Sequence, residues 1–500
     1  MKKQKQMLAL LMSALLMCSA AACGGNSSST GPIVEPKTES RSESRSESKK
    51  ESSKKSETES KSDSTDSSAE ESSKRESSTE ESSKKESSSE ELSGGKVYWL
   101  NYDPLADDIL QELAKLYTDR TGVTVKVVSS ASGMYEETLS VEMAKSEAPT
   151  LFILGPANNY ISSMDADVWG EYALDLKDTD VFRELNSDAF TVYIGDKAAS
   201  IGYRYECYGI IMNPDLVAKA GYDPEDIKNF SSLKTVVEGI HAKASDLGFD
   251  AFTSCDMDDS SSWKFTGHMT NLEYFYEERD SGSRWMKTPD SITGNYLPNF
   301  KNLYDLCTRN SLSKPSELAV GGHDADAQFA EEKAAFTIQG SWEWDGYYDY
   351  KSKVPNAKMI PYYCGVDGEE KAGLNCGTSE CWAVNAKASP ADRKATLDFM
   401  YWCVTDPDAS RMMVDAFGVL PYKRAAKPAN RFLANADDYI SSGHYVMDWA
   451  TSYQPDIDKY REDLVAALNK YNANQTDANW KGVQTAFVDG WATHAKAVKR

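Results

Sequence analysis

Phe329-Ala330-Glu331-Glu332-Lys333-Ala334-Ala335-Phe336-Thr337-Ile338-Gln339-Gly340-Ser341-Trp342-Glu343-Trp344 passes from a charged helical start into an apolar, β-branched run. That run predicts a short buried strand, which Gly340 stops. Two tryptophans follow at once. Strand ends are where α/β proteins meet their ligands, so a tryptophan delivered there offers a flat apolar face. The chemistry that matches such a face is the carbon–hydrogen side of a sugar ring, apolar within a rim of hydroxyls. The competing reading makes Trp342 and Trp344 core aromatics; here both are candidates for ligand contact.

Upstream, Lys96 to Asn101 reads as a first strand. Asp103 can cap a helix that starts at Pro104 and carries Leu105, Ile109, Leu113 and Leu116, and Gly122 ends it. Val123 to Val128 is the next strand, so the opening unit is βαβ with parallel strands. A helix with Tyr135, Leu139 and Met143 on one face follows, then a third strand over 150–154. If the first and third strands are parallel neighbours, their C-terminal ends bring Asn101, Tyr102 and Asp103 to the same edge as Asn158 and Asn159. Carboxylates and amides can pair with vicinal hydroxyls, and tyrosine offers a ring and a donor. The rival reading leaves Asp103 as a helix cap and the asparagines as turn residues.

Glu206 lies among Tyr203, Tyr205 and Tyr208, ahead of a strand and an Asn213-Pro214 helix start. A second α/β lobe begins there. The acidic loop from Cys255 to Phe265 has Ser261 where an EF-hand needs Gly and Gly267 where it needs Glu, so calcium is not expected. Further strands are expected at 358–362 and 381–385, a helix from Ser389-Pro390, and helices over the last 70 residues.

The N-terminal residues read as a targeting segment. Lys2, Lys3 and Lys5 precede an apolar run from Met7 to Met17 and a small-residue cleavage site at Ala20-Ala21-Ala22. Cys23-Gly24-Gly25 after that site resembles a bacterial lipoprotein box with a lipidated cysteine, although Ala20 stands where such boxes usually carry Leu. Cleavage as an ordinary secretory signal also fits. From there to Gly95 the chain is rich in Ser, Glu and Lys, too polar to fold, and is read as a disordered tether. A flexible chain of that length spans roughly 45–50 Å r.m.s..

From Lys96 onward 40 basic residues face 61 acidic ones. That surface argues against nucleic acid or anionic lipid as a partner. No apolar run there is long enough to cross a membrane. Cys207, Cys255, Cys307, Cys364, Cys376, Cys381 and Cys403 are odd in number and match no common zinc spacing, so most are expected to be buried thiols. No Gly-x-Ser-x-Gly elbow, Walker loop or His-Glu-x-x-His is present. Enzyme activity, a metal and a cofactor are therefore not expected.

Four segments carry a family resemblance: 117–125 with Thr121-Gly122-Val123, 209–221 with Asn213-Pro214-Asp215-Leu216, 329–342, and Trp382-Ala383-Val384 followed by Ala388-Ser389-Pro390. In this order they resemble the extracellular sugar-binding lipoproteins of ABC importers, related to maltose-binding protein. The resemblance implies a two-lobed α/β fold of the periplasmic-binding-protein type (type II), with crossing hinge strands and a ligand cleft. Residues 1–22 would be the signal peptide, 23–95 the lipidated cysteine and linker, 96–205 and 358–415 one lobe, and 206–357 and 416–500 the other. By position, Asn101, Asp103, Asn158 and Asn159 look like first-lobe contacts, Glu206 like a hinge-side carboxylate, and Trp263 and Trp342 like second-lobe stacking residues. Asn158-Asn159 stands where maltose-type relatives carry an Asp-Arg pair, which argues against a maltodextrin. The implied partners are a carbohydrate and the permease subunits of an importer, with the protein a monomer. A peptide ligand, or an exported glycan-acting enzyme, are the alternatives.

Overall fold

The computed structural model describes residues 94–131, 134–155, 166–258, 260–282, 284–285, 287–378 and 380–498. Residues 91–500 form one compact unit. Its strands, in chain order, are β1 (Val97–Asn101), β2 (Val125–Ser129), β3 (Leu151–Ile153), β4 (Thr191–Ile194), β5 (Lys197–Gly202), β6 (Glu206–Met212), β7 (Asp250–Phe252), β8 (Ala334–Gly340), β9 (Lys358–Ile360), β10 (Ala372–Gly377), β11 (Cys381–Val384) and β12 (Tyr445–Met447). They make two sheets, ordered β2-β1-β3-β11-β5-β4 and β12-β10-β6-β8-β7, with β9 also paired to β6. The architecture is therefore two α/β lobes, as expected.

The opening unit forms for the reasons legible in the chain. Asp103 Oδ1 accepts the Leu105 N–H at 2.9 Å and Pro104 starts a 3-10 turn, which runs into the helix Asp107–Thr121. Gly122 ends that helix at φ 75°, a conformation that costs glycine nothing sterically. Its buried face is Leu110, Leu113, Ala114 and Tyr117, rotated from the expected stripe. Leu105 belongs to the preceding turn and points to solvent. Strand β1 pairs in parallel with both β2 and β3, which aligns their C-terminal ends.

The chain leaves the first sheet after β5, crosses through 203–205 and enters the second at β6. It returns from β10 to β11 around 378–380. This corrects the expected lobe boundary: residues 358–377 contribute β9 and β10 to the second sheet, because both pair antiparallel with β6. A strand read alone at 358–362 carries no mark of its partner. In the first core, Trp99 meets Trp382 edge-on at 5.6 Å, and Tyr203 stacks on Trp382 at 5.1 Å. The second core holds Tyr460, Leu464, Leu468, Phe487 and Trp491 from the last two helices, Ile457–Ala473 and Asp477–Val498. All seven cysteines of the unit are buried free thiols.

Candidate functional site

Strand β8 runs fully buried from Ala334 to Gly340 and stops where a 3-10 turn, Ser341–Trp344, begins. The indole of Trp342 folds back over Gly340 so closely that a Cβ there would lie 2.1 Å from the ring. Gly340 is thus required by the seat of Trp342. Trp342 is 39% exposed, unusual for the largest apolar residue. Trp344, two residues on, is 6% exposed and packs edge-on to Phe432 at 5.0 Å. Its ring is packed in the first core, and its Nε1 is buried without a hydrogen bond among the described residues.

Trp263 precedes a π-helical turn, Lys264–Met269, a departure from α geometry that often marks functional sites. It brings Trp263 to 6.3 Å and His268 to 5.4 Å from the Trp342 ring centroid. His268 in turn stacks face to face on Tyr208 at 4.1 Å, and Tyr208 stacks on Trp449 at 5.6 Å. The Trp449 ring lies over Gly377 as Trp342 lies over Gly340, with a Cβ at 377 falling 2.0 Å from it. In register, Tyr208 faces both Gly340 and Asn375, and Glu206 faces Gly377. The aromatic wall is thus laid across the ends of β8, β6 and β10.

Its polar atoms are short of partners. Tyr208 OH, His268 Nδ1, Trp449 Nε1 and Asp448 Oδ1 are buried without a hydrogen bond among the described residues. Most buried polar groups in proteins are paired, so a cluster of exceptions calls for an explanation. Burial, then the charges of Arg461 and Lys264, lower the His268 pKa to about 3, so its ring is neutral at physiological pH. Behind it, the fully buried Lys264 ammonium is neutralised by Asp326 at 2.6 Å.

At the crossing, Arg204 Nη2 donates to Glu206 Oε1 at 3.2 Å, and its Nε lies 3.7 Å from Glu380 Oε2. Burial disfavours the guanidinium's charge, but Glu380 and Glu206 outweigh it and raise the pKa. The Ser341 hydroxyl donates to the other Glu206 oxygen and accepts the Cys207 N–H at 3.1 Å. Glu206 is therefore fixed beside the root of Trp342, part-exposed and charge-compensated, able to accept from a ligand hydroxyl.

On the first lobe, Asn101 is fully buried, and its Nδ2 donates to the Asp103 carbonyl at 2.6 Å and to Ser129 Oγ at 3.0 Å. Only its Oδ1 lacks a partner. Asp103 caps the turn that follows it. Tyr102 is half-buried with its ring edge on Tyr135, and burial, then Glu380 and Asp103, raise its hydroxyl pKa. That influence of Glu380 and Arg204 places Tyr102 near the crossing. Asn158 and Asn159 lie outside the described residues, as does Cys23.

The structure thus gathers Trp263 and Trp342, ties Glu206 to the same place, and adds Arg204, Tyr208, His268, Glu380 and Trp449. Tyr208 was within reach of sequence reasoning, since it sits two residues from Glu206 and so on the same strand face. Trp449 follows a short strand much as Trp342 does. His268 had no such signal, because its position depends on the π turn.

Residues 112–439 match a family model described as bacterial extracellular solute-binding protein. None of the curated proteins matches in sequence. Among solved structures, a family 1 extracellular solute-binding protein from Bifidobacterium longum subsp. infantis is 18% identical with TM-score 0.60, covering 80% of this chain and 100% of that one. The apo form of RafE from Streptococcus pneumoniae is 16% identical with TM-score 0.58, covering 79% and 98%. The cyclic alpha-maltosyl-1,6-maltose binding protein from Arthrobacter globiformis is 16% identical with TM-score 0.53, covering 81% and 99%.

Proposed function

The chain belongs to the bacterial extracellular solute-binding proteins, and on that premise we propose that it captures a carbohydrate between its lobes and delivers it to the permease of an ABC importer. The observation that carries this reading is Trp342, a part-exposed indole seated on Gly340 beside the fixed carboxylate of Glu206. An indole face accepts the apolar side of a pyranose, while the part-exposed carboxylate of Glu206 suits its hydroxyls. The name of the Arthrobacter protein, a binder of a cyclic maltosyl sugar, accords with this chemistry on the same fold. Glu206, Glu380 and Asp103 outnumber Arg204 around the crossing, which favours neutral or amino sugars over anionic ones.

Binding is by closure and involves no turnover. A ligand that touches both lobes stabilises the closed form, and the permease reads that form. In this reading Cys23 carries the lipid that holds the protein at the outer face of the cytoplasmic membrane, and 23–95 is the tether. The test is thermal stabilisation against oligosaccharides, amino acids and peptides. A ligand that binds the native state alone at 100 times its Kd stabilises by about 2.7 kcal/mol. A rise with a saccharide is expected; a rise with peptides alone, or hydrolysis of the saccharide, would overturn the reading.

A further inference from the structure

Arg284 follows the second-lobe helix Asn271–Ser281. Its neighbour Trp285 is anchored in that lobe, with its N–H held by the Glu278 carboxylate and its ring 5.8 Å from Trp491. The backbone at Arg284 therefore moves with the second lobe. Its guanidinium reaches the first. Nη1 donates to the Asp188 carbonyl at 3.3 Å and Nη2 to the Ala189 carbonyl at 3.4 Å. Nη1 also lies 3.6 Å from the Asp188 carboxylate, and the group sits 5.6 Å over the Tyr193 ring of β4. Tyr193 OH donates to Asp188 Oδ1 at 2.7 Å, holding that carboxylate in place.

On its own lobe Arg284 Nη2 lies 3.5 Å from Asp448 Oδ2. Asp448 immediately precedes Trp449 of the aromatic wall, and its backbone carbonyl accepts from Asn271 Nδ2 at 2.8 Å. Its Oδ1 is buried without a partner, so Arg284 is the cation that compensates this carboxylate. Burial pushes the Asp448 carboxyl up and Arg284 pulls it back. One guanidinium thus joins a first-lobe turn to the residue beside a ligand plate of the second lobe.

We infer that Arg284 is a positioning residue that clasps the two lobes across the cleft, holding the Trp449 end of the aromatic wall against the first lobe. The clasp is read from contacts that need no ligand; only its effect on affinity rests on the solute-capture reading. Part-exposed ion pairs of this kind each change an equilibrium constant by about two- to fivefold. The one ion pair that crosses should therefore raise the closed-to-open ratio by about two- to fivefold, and apparent affinity by as much while the closed form is the minor one.

The experiment is an interlobe distance measurement by spin labels at Lys115→Cys and Lys234→Cys, both exposed helix positions on different lobes, in the full chain with Cys18 and Cys23 changed to Ser. In ligand-free protein at low salt, Arg284→Ala should shift the distribution to longer distances, and Asp188→Asn should shift it part-way. About 0.5 M NaCl should move the parent protein in the same direction and leave Arg284→Ala unchanged, because surface charge pairs are screened. Affinity for the probe raffinose should fall by about two- to fivefold in Arg284→Ala. Coincident distance distributions for parent and Arg284→Ala at low salt would overturn the inference, as would an unchanged affinity despite a longer distance. If no saccharide binds any variant, the solute reading fails while the distances still decide the clasp.

Discussion

The two walls of the cleft are built on different terms. On the first lobe, Asn101 Nδ2 ties the loop after β1 and Asp103 caps the turn beyond it, which leaves Asn101 Oδ1 as the unpartnered atom of that edge. On the second lobe, Trp342 and Trp449 are laid on glycines, and the polar atoms between them are unpartnered. A surface whose hydrogen-bonding capacity is already used can shape a cleft but gains little from a ligand. A surface of seated rings with unpaired donors and acceptors gains both stacking and hydrogen bonds. In the proposed reading, this contrast among the described residues gives the second lobe the larger share of recognition.

The largest expected effect separates two tryptophans of one turn. Trp344→Ala empties a packed site beside Phe432 and should lower stability by about 3–5 kcal/mol, with saccharide affinity per folded molecule retained; denaturant melts and calorimetric titration read the two quantities. Loss of affinity with stability intact would place Trp344 in the wall and break the contrast.

Next in size is a pH effect confined to the second lobe. Burial raises the Glu343 pKa to about 7 from an ordinary 4.5. A carboxyl raised in the folded state contributes stability that is fully present below pH 4.5 and lost as pH rises through 7. The native protein should lose up to about 3 kcal/mol on this account, and Glu343→Gln should make the fall in melting stability between pH 5 and 8 shallower by that share, the remainder coming from Glu278, raised by burial to about 7, and Glu273, raised by burial to about 9. His268 acts with the opposite sign: lowered to about 3, it removes stability as pH falls below 6.5. An unchanged pH profile in Glu343→Gln would show that the wall's interior is wetter than its burial implies.

Glu206→Gln keeps the shape and removes the charge that Arg204 and Ser341 hold in place. Saccharide affinity should fall by about 1–3 kcal/mol, roughly five- to 150-fold. Tyr102→Phe, on the committed first wall, should cost less than about 1 kcal/mol of affinity. If the tyrosine change were the more damaging in titrations, recognition would belong to the first lobe.

Much of this was legible in the chain because it depended on local rules. Gly340 ending a buried strand, Asp103 and Asn213 as caps, and the parallel βαβ opening all follow from residue types at fixed offsets. What sequence missed depended on partners far along the chain. Strands β9 and β10 join the second sheet only through pairing with β6. Trp449 reaches Tyr208 through β12, and His268 reaches Trp342 through a π turn that no spacing rule predicts. The difference in exposure between Trp342 and Trp344 has a related source: turn geometry decides which of two nearby rings faces out.

In the proposed reading the solute rests on the Trp342 ring, and calorimetric titration of Trp342→Ala with the saccharide that stabilises the parent protein tests this most directly. The expected result is a loss of at least about 2 kcal/mol, thirtyfold or more in Kd, with the melting temperature without ligand nearly unchanged because the ring is already part-exposed. Affinity equal to that of the parent protein would contradict it.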